Sequence, residues 1–245
     1  MRCLISTIIR NRGPHVPTWC DQLVLLAKHN PDIKFYLSVF ENDSEDNTKQ
    51  VLRLVEKKFQ NHFEAVKVTT SDLGWPYFGS IKAEERVRYL AEARNKTLDQ
   101  MHTLYDLSLF DKVVCVEPDI VYSPELVSSL LRTDLDIASG YSILPHGFGV
   151  PDWIYDSWAT RVNPDDSEYR GPKVSELPNL LAVASTFNCF CVYKALPFAE
   201  GLRFSGVNPR TFTWDCDTTN ICFAFADSGY GNIGMYNIPV LHKLS

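Results

Sequence analysis

Short apolar runs alternate along the first half of the chain with segments whose apolar residues recur every three to four positions. Leu4 to Ile9 reads as a strand, and Pro17 to His29 places Trp19, Leu23, Leu26 and Ala27 at helical spacing. Ile33 to Phe40 is a second strand, followed by the acidic turn ENDSEDN and a helix over about Thr48 to Phe59. Phe63 to Val68 and Lys112 to Val116 give strands three and four, separated by a long helix from about Ser80 to Tyr105. Ser123-Pro124 carries the N-cap and N1-proline signature of a short helix over Glu125 to Leu131. Strand, helix, strand in this order predicts an α/β fold with a mostly parallel central sheet flanked by helices.

The second half is less regular. Ile137 to Ile143 reads as a strand. Leu144 to Leu180, rich in Pro, Asp, Gly and aromatics, reads as long loops of the kind that build functional surfaces. Leu181 to Tyr193 returns to strand, Asp217 to Ser228 is a helix and Ile238 to His242 a last strand. Gly229 to Gly234 spells GxGxxG, yet it follows a helix and precedes a strand. A dinucleotide fingerprint needs the reverse order, so this stretch reads as a turn. Neither a GxxxxGK[ST] phosphate loop nor a GxSxG nucleophile elbow is present.

Composition narrows the function. A formal net charge of -6 over 245 residues argues against nucleic-acid binding, which needs a basic patch. No window offers the roughly 20 apolar residues of a membrane span, and the early apolar run ends in Arg10 and Arg12 without a cleavage site. The expectation is a cytoplasmic chain with no transmembrane segment. Sequons at Asn42 and Asn95, inside candidate active-site segments, agree with that. Seven cysteines, several within apolar runs, read as reduced core residues. Cys189, Cys191, Cys216 and Cys222 lack the spacing of a zinc site.

Several groups carry candidate chemistry. Glu117-Pro118-Asp119 follows the apolar strand KVVCV, where open parallel sheets bind ligands. Carboxylates two apart in extended backbone face one side, and their hard oxygens suit Mg²⁺ or Mn²⁺ bridging to a diphosphate. Glu41, Asn42 and Asp43 follow strand two, where an acid can accept from a ribose hydroxyl or cap the next helix. Arg94 falls on the apolar stripe of Val87, Leu90, Ala91, Leu98 and Met101, so its charge needs an anionic partner, a diphosphate or a site carboxylate. Arg86 and Arg88 are assigned to the solvated face. Asp215 and Asp217 open the last helix beside Trp214, fitting either capping or general-base work. His242 closes the last apolar run.

In order, the strand ending Arg10-Asn11-Arg12, FENDSEDNT, RYLAEARN, the ExD segment, WDCD and the terminal VLH resemble a GT-A glycosyltransferase. FENDSEDNT, AEARN and YDSW are similar to the cryptococcal capsule α-1,3-mannosyltransferase family, and the size and ExD variant resemble majastridin, a small bacterial GT-A protein. The resemblance covers about residues 1 to 242. It implies that Glu117 and Asp119 form a DXD-like motif, with Glu117 at the ribose or metal, and that His242 completes the metal shell. It implies that Arg94 faces the donor diphosphate or sugar, that Asp215 and Asp217 are the acidic pair near the acceptor, and that Thr7, Arg10, Arg12 and Glu41 to Asp43 contact nucleotide. A single GT-A domain follows, residues 1–119 binding nucleotide and 120–245 the acceptor, with Trp75 to Phe78 and Trp153 to Trp158 offering faces for sugar stacking.

The implied activity is metal-dependent, retaining transfer of mannose from a GDP-sugar. The residues themselves leave GDP- and UDP-sugars open as donors, and a glycan, glycolipid or glycoprotein as acceptor. Two rivals remain: a nucleotidyltransferase, whose Gly-rich, Lys/Arg-containing loop after strand one is poorly matched by Arg10, Arg12 and Gly13, and a nucleotide-sugar-binding protein without turnover.

Overall fold

The computed structural model describes residues 1–145 and 152–243, so the part of the 144–180 loop region at 146–151 lies outside the described residues. Among the described residues nine strands form one sheet in the order β3-β2-β1-β4-β8-β6-β9-β5, with β7 added on β9. Strands β1 (Arg2–Ile9), β2 (Lys34–Asn42), β3 (Ala65–Ser71) and β4 (Lys112–Val116) are mutually parallel. Helices α1 (Val16–His29), α2 (Thr48–Gln60) and α3 (Glu84–His102) make the crossovers.

Period-two alternation explains how the sheet is covered on both faces. Ile5, Val39, Val114 and Val116 join one apolar cluster with Trp19, Leu23, Leu52 and Phe59 of α1 and α2. Leu4, Val113 and Cys115 point the other way, into a second cluster with Ala91, Leu98 and Met101 of α3. The Trp19 and Phe59 rings meet edge to face at 5.2 Å, locking α1 to α2. Ser123 caps α4 (Pro124–Leu131) by accepting from the Leu126 amide, as its sequence foretold.

The second half departs from the sequence reading in three places. Leu181 to Tyr193 is not one strand: β7 (Leu180–Ala182) and β8 (Phe190–Lys194) are separated by a buried polar segment in which Ser185 donates to the Ala159 carbonyl, Thr186 pairs with the Ser139 hydroxyl and Asn188 donates to Thr160. The three-residue β5 (Ile120–Tyr122) is too short to show in the pattern. The last strand, β9 (Ile233–His242), begins five residues before Ile238. It runs parallel to β6 (Ile137–Ile143) and slips register near Gly140, where a Cβ would lie 2.4 Å from the Ile238 carbonyl oxygen. The GxGxxG run joins α5 (Asp217–Asp227) to β9, helix before strand. Among the described residues no helix is long and apolar enough to cross a membrane.

Candidate functional site

Three adjacent parallel strands end side by side, and their last residues open one cleft of about 310 Å³. β1 contributes Arg10 and Arg12, β2 Asn42, and β4 the Glu117-Pro118-Asp119 segment. His242 and Lys243 close it from the far side, because β5 pairs antiparallel with β9 and sets Ile120 opposite His242. The Lys243 amide then donates to the Asp119 carbonyl at 2.7 Å. A strand invisible in the sequence therefore brings the C-terminal histidine to the acidic motif.

Pro118 and Asp119 form a turn rather than extended backbone, and both the Glu117 and the Asp119 carboxylates face the cleft beside His242. Asp119 is buried and accepts from Arg12 Nε at 2.6 Å, with His242 Nε2 3.6 Å from the same oxygen. Glu117 turns toward the Arg94 guanidinium at 3.7 Å, and its carboxylate, the Cys189 thiol and a His242 nitrogen all lie within 4.8 Å of one another. Burial, then the Asp119 charge, pushes the Glu117 carboxyl up. Burial would lower the Arg12 guanidinium, but Asp119 outweighs it and holds the side chain charged. His242 Nδ1 is buried without a partner. Oxygen and imidazole donors facing one point, with that ring nitrogen unpartnered among the described residues, fit a divalent cation even though Arg12 and Arg94 already neighbour the carboxylates.

The 73–79 loop forms the cleft's aromatic wall. Asp43, in the left-handed region at φ 52, accepts from the Leu73 and Gly74 amides at 2.7 Å and from Trp75 at 3.3 Å. Burial opposes its ionisation, but those bonds and one from Asn42 hold the carboxyl below its ordinary value. Arg10 donates to the Trp75 and Pro76 carbonyls and lies over the Tyr77 ring. Trp75 stacks on Tyr89 at 4.7 Å. Arg86, assigned to the solvated face from sequence, instead lines the cleft and donates to the Gly79 carbonyl, because α3 starts at Glu84 and Ser80 to Ala83 stay unwound beneath the loop. Arg88 is exposed as expected.

Other expected residues lie off the cleft. Thr7 is buried with its hydroxyl unpartnered on the strand face away from Ile8, and Glu41, fully buried, accepts from the Ser44 amide. Burial pushes the Glu41 carboxyl up. Arg94 is buried behind Glu117, its Nε donating to Asp217 at 2.9 Å and its guanidinium 4.4 Å from the Phe187 ring centre. Asp215 is held by Arg161 at 2.5 Å and Asn208 at 3.3 Å. The acidic pair is thus bound by arginines, at the start of α5.

Asp156 and Cys189 escaped the sequence reading. Tyr155, on the predicted aromatic loop, stands over His242 with ring centres 4.3 Å apart, and Asp156 beside it accepts from the Asn188 amide at 2.9 Å. Burial, reinforced by Glu117, pushes the Asp156 carboxyl up to about 7. Cys189 sits among core-like apolar residues in sequence, which hid its place at Glu117. Trp153 packs on Tyr169 and Trp158 on Trp214, leaving Tyr155 as the loop's cleft-facing ring.

A profile of the family described as Cryptococcal mannosyltransferase 1 matches residues 2–227. No curated protein sequence matches the chain. Among solved structures, Staphylococcus aureus TarS 1-349 superposes with TM-score 0.57 at 14% identity, over 99% of this chain and 60% of that one. The mannosyltransferase PcManGT from Pyrobaculum calidifontis, in complex with GDP-Man and Mn²⁺, gives 0.56 at 13% identity, over 100% of this chain and 57% of that one. GalNAc-T7 with UDP, GalNAc and Mn²⁺ gives 0.58 at 14% identity, over 100% and 44%. These likenesses establish the GT-A fold, and the chain spans only part of each of these proteins.

Proposed function

Because the chain belongs to the cryptococcal mannosyltransferase family, we propose that it transfers a sugar, mannose by that kinship, from a nucleoside-diphosphate donor to an acceptor hydroxyl. One observation carries the reading: Arg12, Glu117, Asp119 and His242 meet where three parallel strands end over the cleft. GDP-Man with Mn²⁺ in PcManGT and UDP with Mn²⁺ in GalNAc-T7 support a nucleotide-sugar and a divalent cation.

Asp119, Glu117 and His242 would hold the cation, Mn²⁺ or Mg²⁺. When bound, it supplies positive charge to the diphosphate as that group leaves. Arg12 adds a fixed cation on the same side, and Arg10 with Asn42 and Tyr77 flanks the space for ribose and base. Tyr155 offers a ring face for sugar. Residues 1–119 supply most of the nucleotide surface and 120–245 the acceptor side, with His242 and Tyr155 crossing between them. Asp215 and Asp217, tied to Arg161 and Arg94, position the acceptor side rather than take a proton. That assignment favours retention, in which the leaving phosphate accepts the proton of the attacking hydroxyl.

The test is incubation with Mn²⁺ and a panel of GDP- and UDP-sugars, following donor cleavage and, with added mannosides, transfer. Turnover with one donor, lost in Asp119→Ala, is expected. Tight nucleotide binding with no cleavage of any donor would instead make the chain a binding protein, and release of pyrophosphate from a nucleoside triphosphate would make it a nucleotidyltransferase.

A further inference from the structure

The Cys189 thiol has no place in a hard-cation site, yet it stands within 4.8 Å of both the Glu117 carboxylate and a His242 nitrogen. The backbone that puts it there is unusual. Asn188 and Cys189 both occupy the left-handed region, at φ 52 and 64, which non-glycine residues adopt at a cost of order 1–3 kcal/mol each. Surrounding bonds impose that conformation. The Asn188 amide donates to Asp156 at 2.9 Å, its side-chain oxygen accepts from the Ser142 amide and hydroxyl, and its side-chain nitrogen donates to Thr160 and Thr186 at 3.0 Å. The thiol packs against the apolar core, and what singles it out is its reach to Glu117 and to His242, whose buried Nδ1 has no partner among the described residues.

We propose that Cys189 is a ligand of the same metal centre, so that Glu117, Cys189 and His242 form an O, S, N triad favouring thiophilic cations such as Zn²⁺ and Co²⁺ over Mg²⁺. The inference rests on the metal-site reading above. Bonds of about 2.0–2.3 Å in tetrahedral geometry separate ligand atoms by about 3.3–3.8 Å. Closing from 4.8 Å asks for side-chain movements of about 1 Å, within a rotamer well. Soft sulfur ranks Zn²⁺ and Co²⁺ above hard oxygen-seeking ions, and three protein ligands leave one tetrahedral position open to a phosphate oxygen. Asp119, paired with Arg12, stays outside the triad and serves the harder ions through His242.

Titrating the metal-free full chain with Co²⁺, followed by absorption, tests this directly. Wild type should show a near-ultraviolet thiolate-to-cobalt charge-transfer band saturating at one equivalent, together with visible ligand-field bands. Cys189→Ser should lose the first and keep the second. Competition titrations should show Zn²⁺ affinity falling at least about tenfold in that variant while Mn²⁺ affinity changes less than about threefold. Melting in EDTA checks that Cys189→Ser is folded, and Cys189→Ala repeats the measurement if it is not. Visible bands in wild type without the charge-transfer band, or a band that survives in both variants, would overturn the Cys189 assignment while leaving a metal site. Failure of Co²⁺, Zn²⁺ and Mn²⁺ all to bind would overturn the metal-site reading with it.

Discussion

Arg12 Nε lies 2.6 Å from Asp119 Oδ2, so the carboxylate best placed to bind a cation already has one. The Arg12 amide is itself pinned to Thr48 at 2.8 Å, which fixes the side chain's origin above the cleft. A metal and Arg12 therefore compete for Asp119 until an anionic diphosphate arrives to share both charges. The order of binding follows: cation affinity should be weak alone and rise with nucleotide.

Arg12→Ala should strengthen Mn²⁺ binding to the nucleotide-free protein by about three- to tenfold, the scale of one near-surface Coulomb interaction. The same change should weaken nucleoside-diphosphate binding by about tenfold or more, because a cation facing the phosphates is gone. Calorimetric titrations of metal and of nucleotide separate the two effects. Weakening of both by similar factors would show that Arg12 merely holds the loop in shape.

Arg94 and Asp217 make a different kind of pair, buried on both sides at 2.9 Å. Arg94→Ala strands the Asp217 carboxylate and should cost about 3–5 kcal/mol in urea unfolding. Replacing both residues by apolar ones of similar volume should recover much of that loss. A single-mutant cost below about 1 kcal/mol would mean that water already screens the pair. Because Arg94 also reaches Glu117 at 3.7 Å, its removal lifts a positive charge from that carboxylate, so metal affinity should rise, as for Arg12→Ala, while stability falls.

How much of this was legible in the sequence depends on the range of the interaction. The parallel half was readable because Leu4 to Ile9, Ile33 to Phe40 and Lys112 to Val116 are largely buried on both faces and mostly apolar, broken only by small hydroxyls and lysines near the strand starts. Arg94 announced its burial by falling on an apolar stripe, which called for an anionic partner, and the structure supplies the Asp217 carboxylate. What pairing alone creates was hidden. β5 is three residues long, and only its register with β9 carries His242 to Asp119. Glu117 lies beside Cys189 as well as near Asp119, and a cysteine between Asn188 and Phe190 looks the same in sequence whether it packs or points into a site. Asp156 lacked any motif beyond its place in YDSW, and its altered acidity comes from burial and from Glu117, 39 residues earlier.

The aromatic wall depends on Asp43 rather than on its own contacts. Three loop amides converge on that carboxylate, while Tyr77 and Leu73 remain largely solvent-exposed. Asp43→Ala should leave global stability within about 1 kcal/mol, since the loop adds little buried area. It should raise the nucleotide dissociation constant about tenfold, through loss of a preformed stacking surface, and increase protease cutting within 73–79. Unchanged nucleotide affinity with faster cutting would remove the loop from the binding site.

The final prediction concerns acidity. The Asp156 carboxyl is pushed up to about 7, against about 3.9 in an unfolded chain, by burial first and Glu117 second. A carboxyl raised on folding favours the folded state while it stays protonated there. Its contribution is fully present below about pH 4 and is lost as pH climbs toward 7. Glu117, raised by burial and by Asp119, acts with the same sign. In EDTA, so that no cation offsets the carboxylates, stability should therefore fall between pH 5 and pH 8, by at most about 1.4 kcal/mol per pH unit for each group. Asp156→Asn can still accept from the Asn188 amide, should flatten much of that slope, and should exceed wild type in stability at pH 8. Stability that rises over this interval, or an Asp156→Asn variant that keeps the wild-type slope, would mean that water reaches the Asp156 carboxylate and solvates its charge in the folded state.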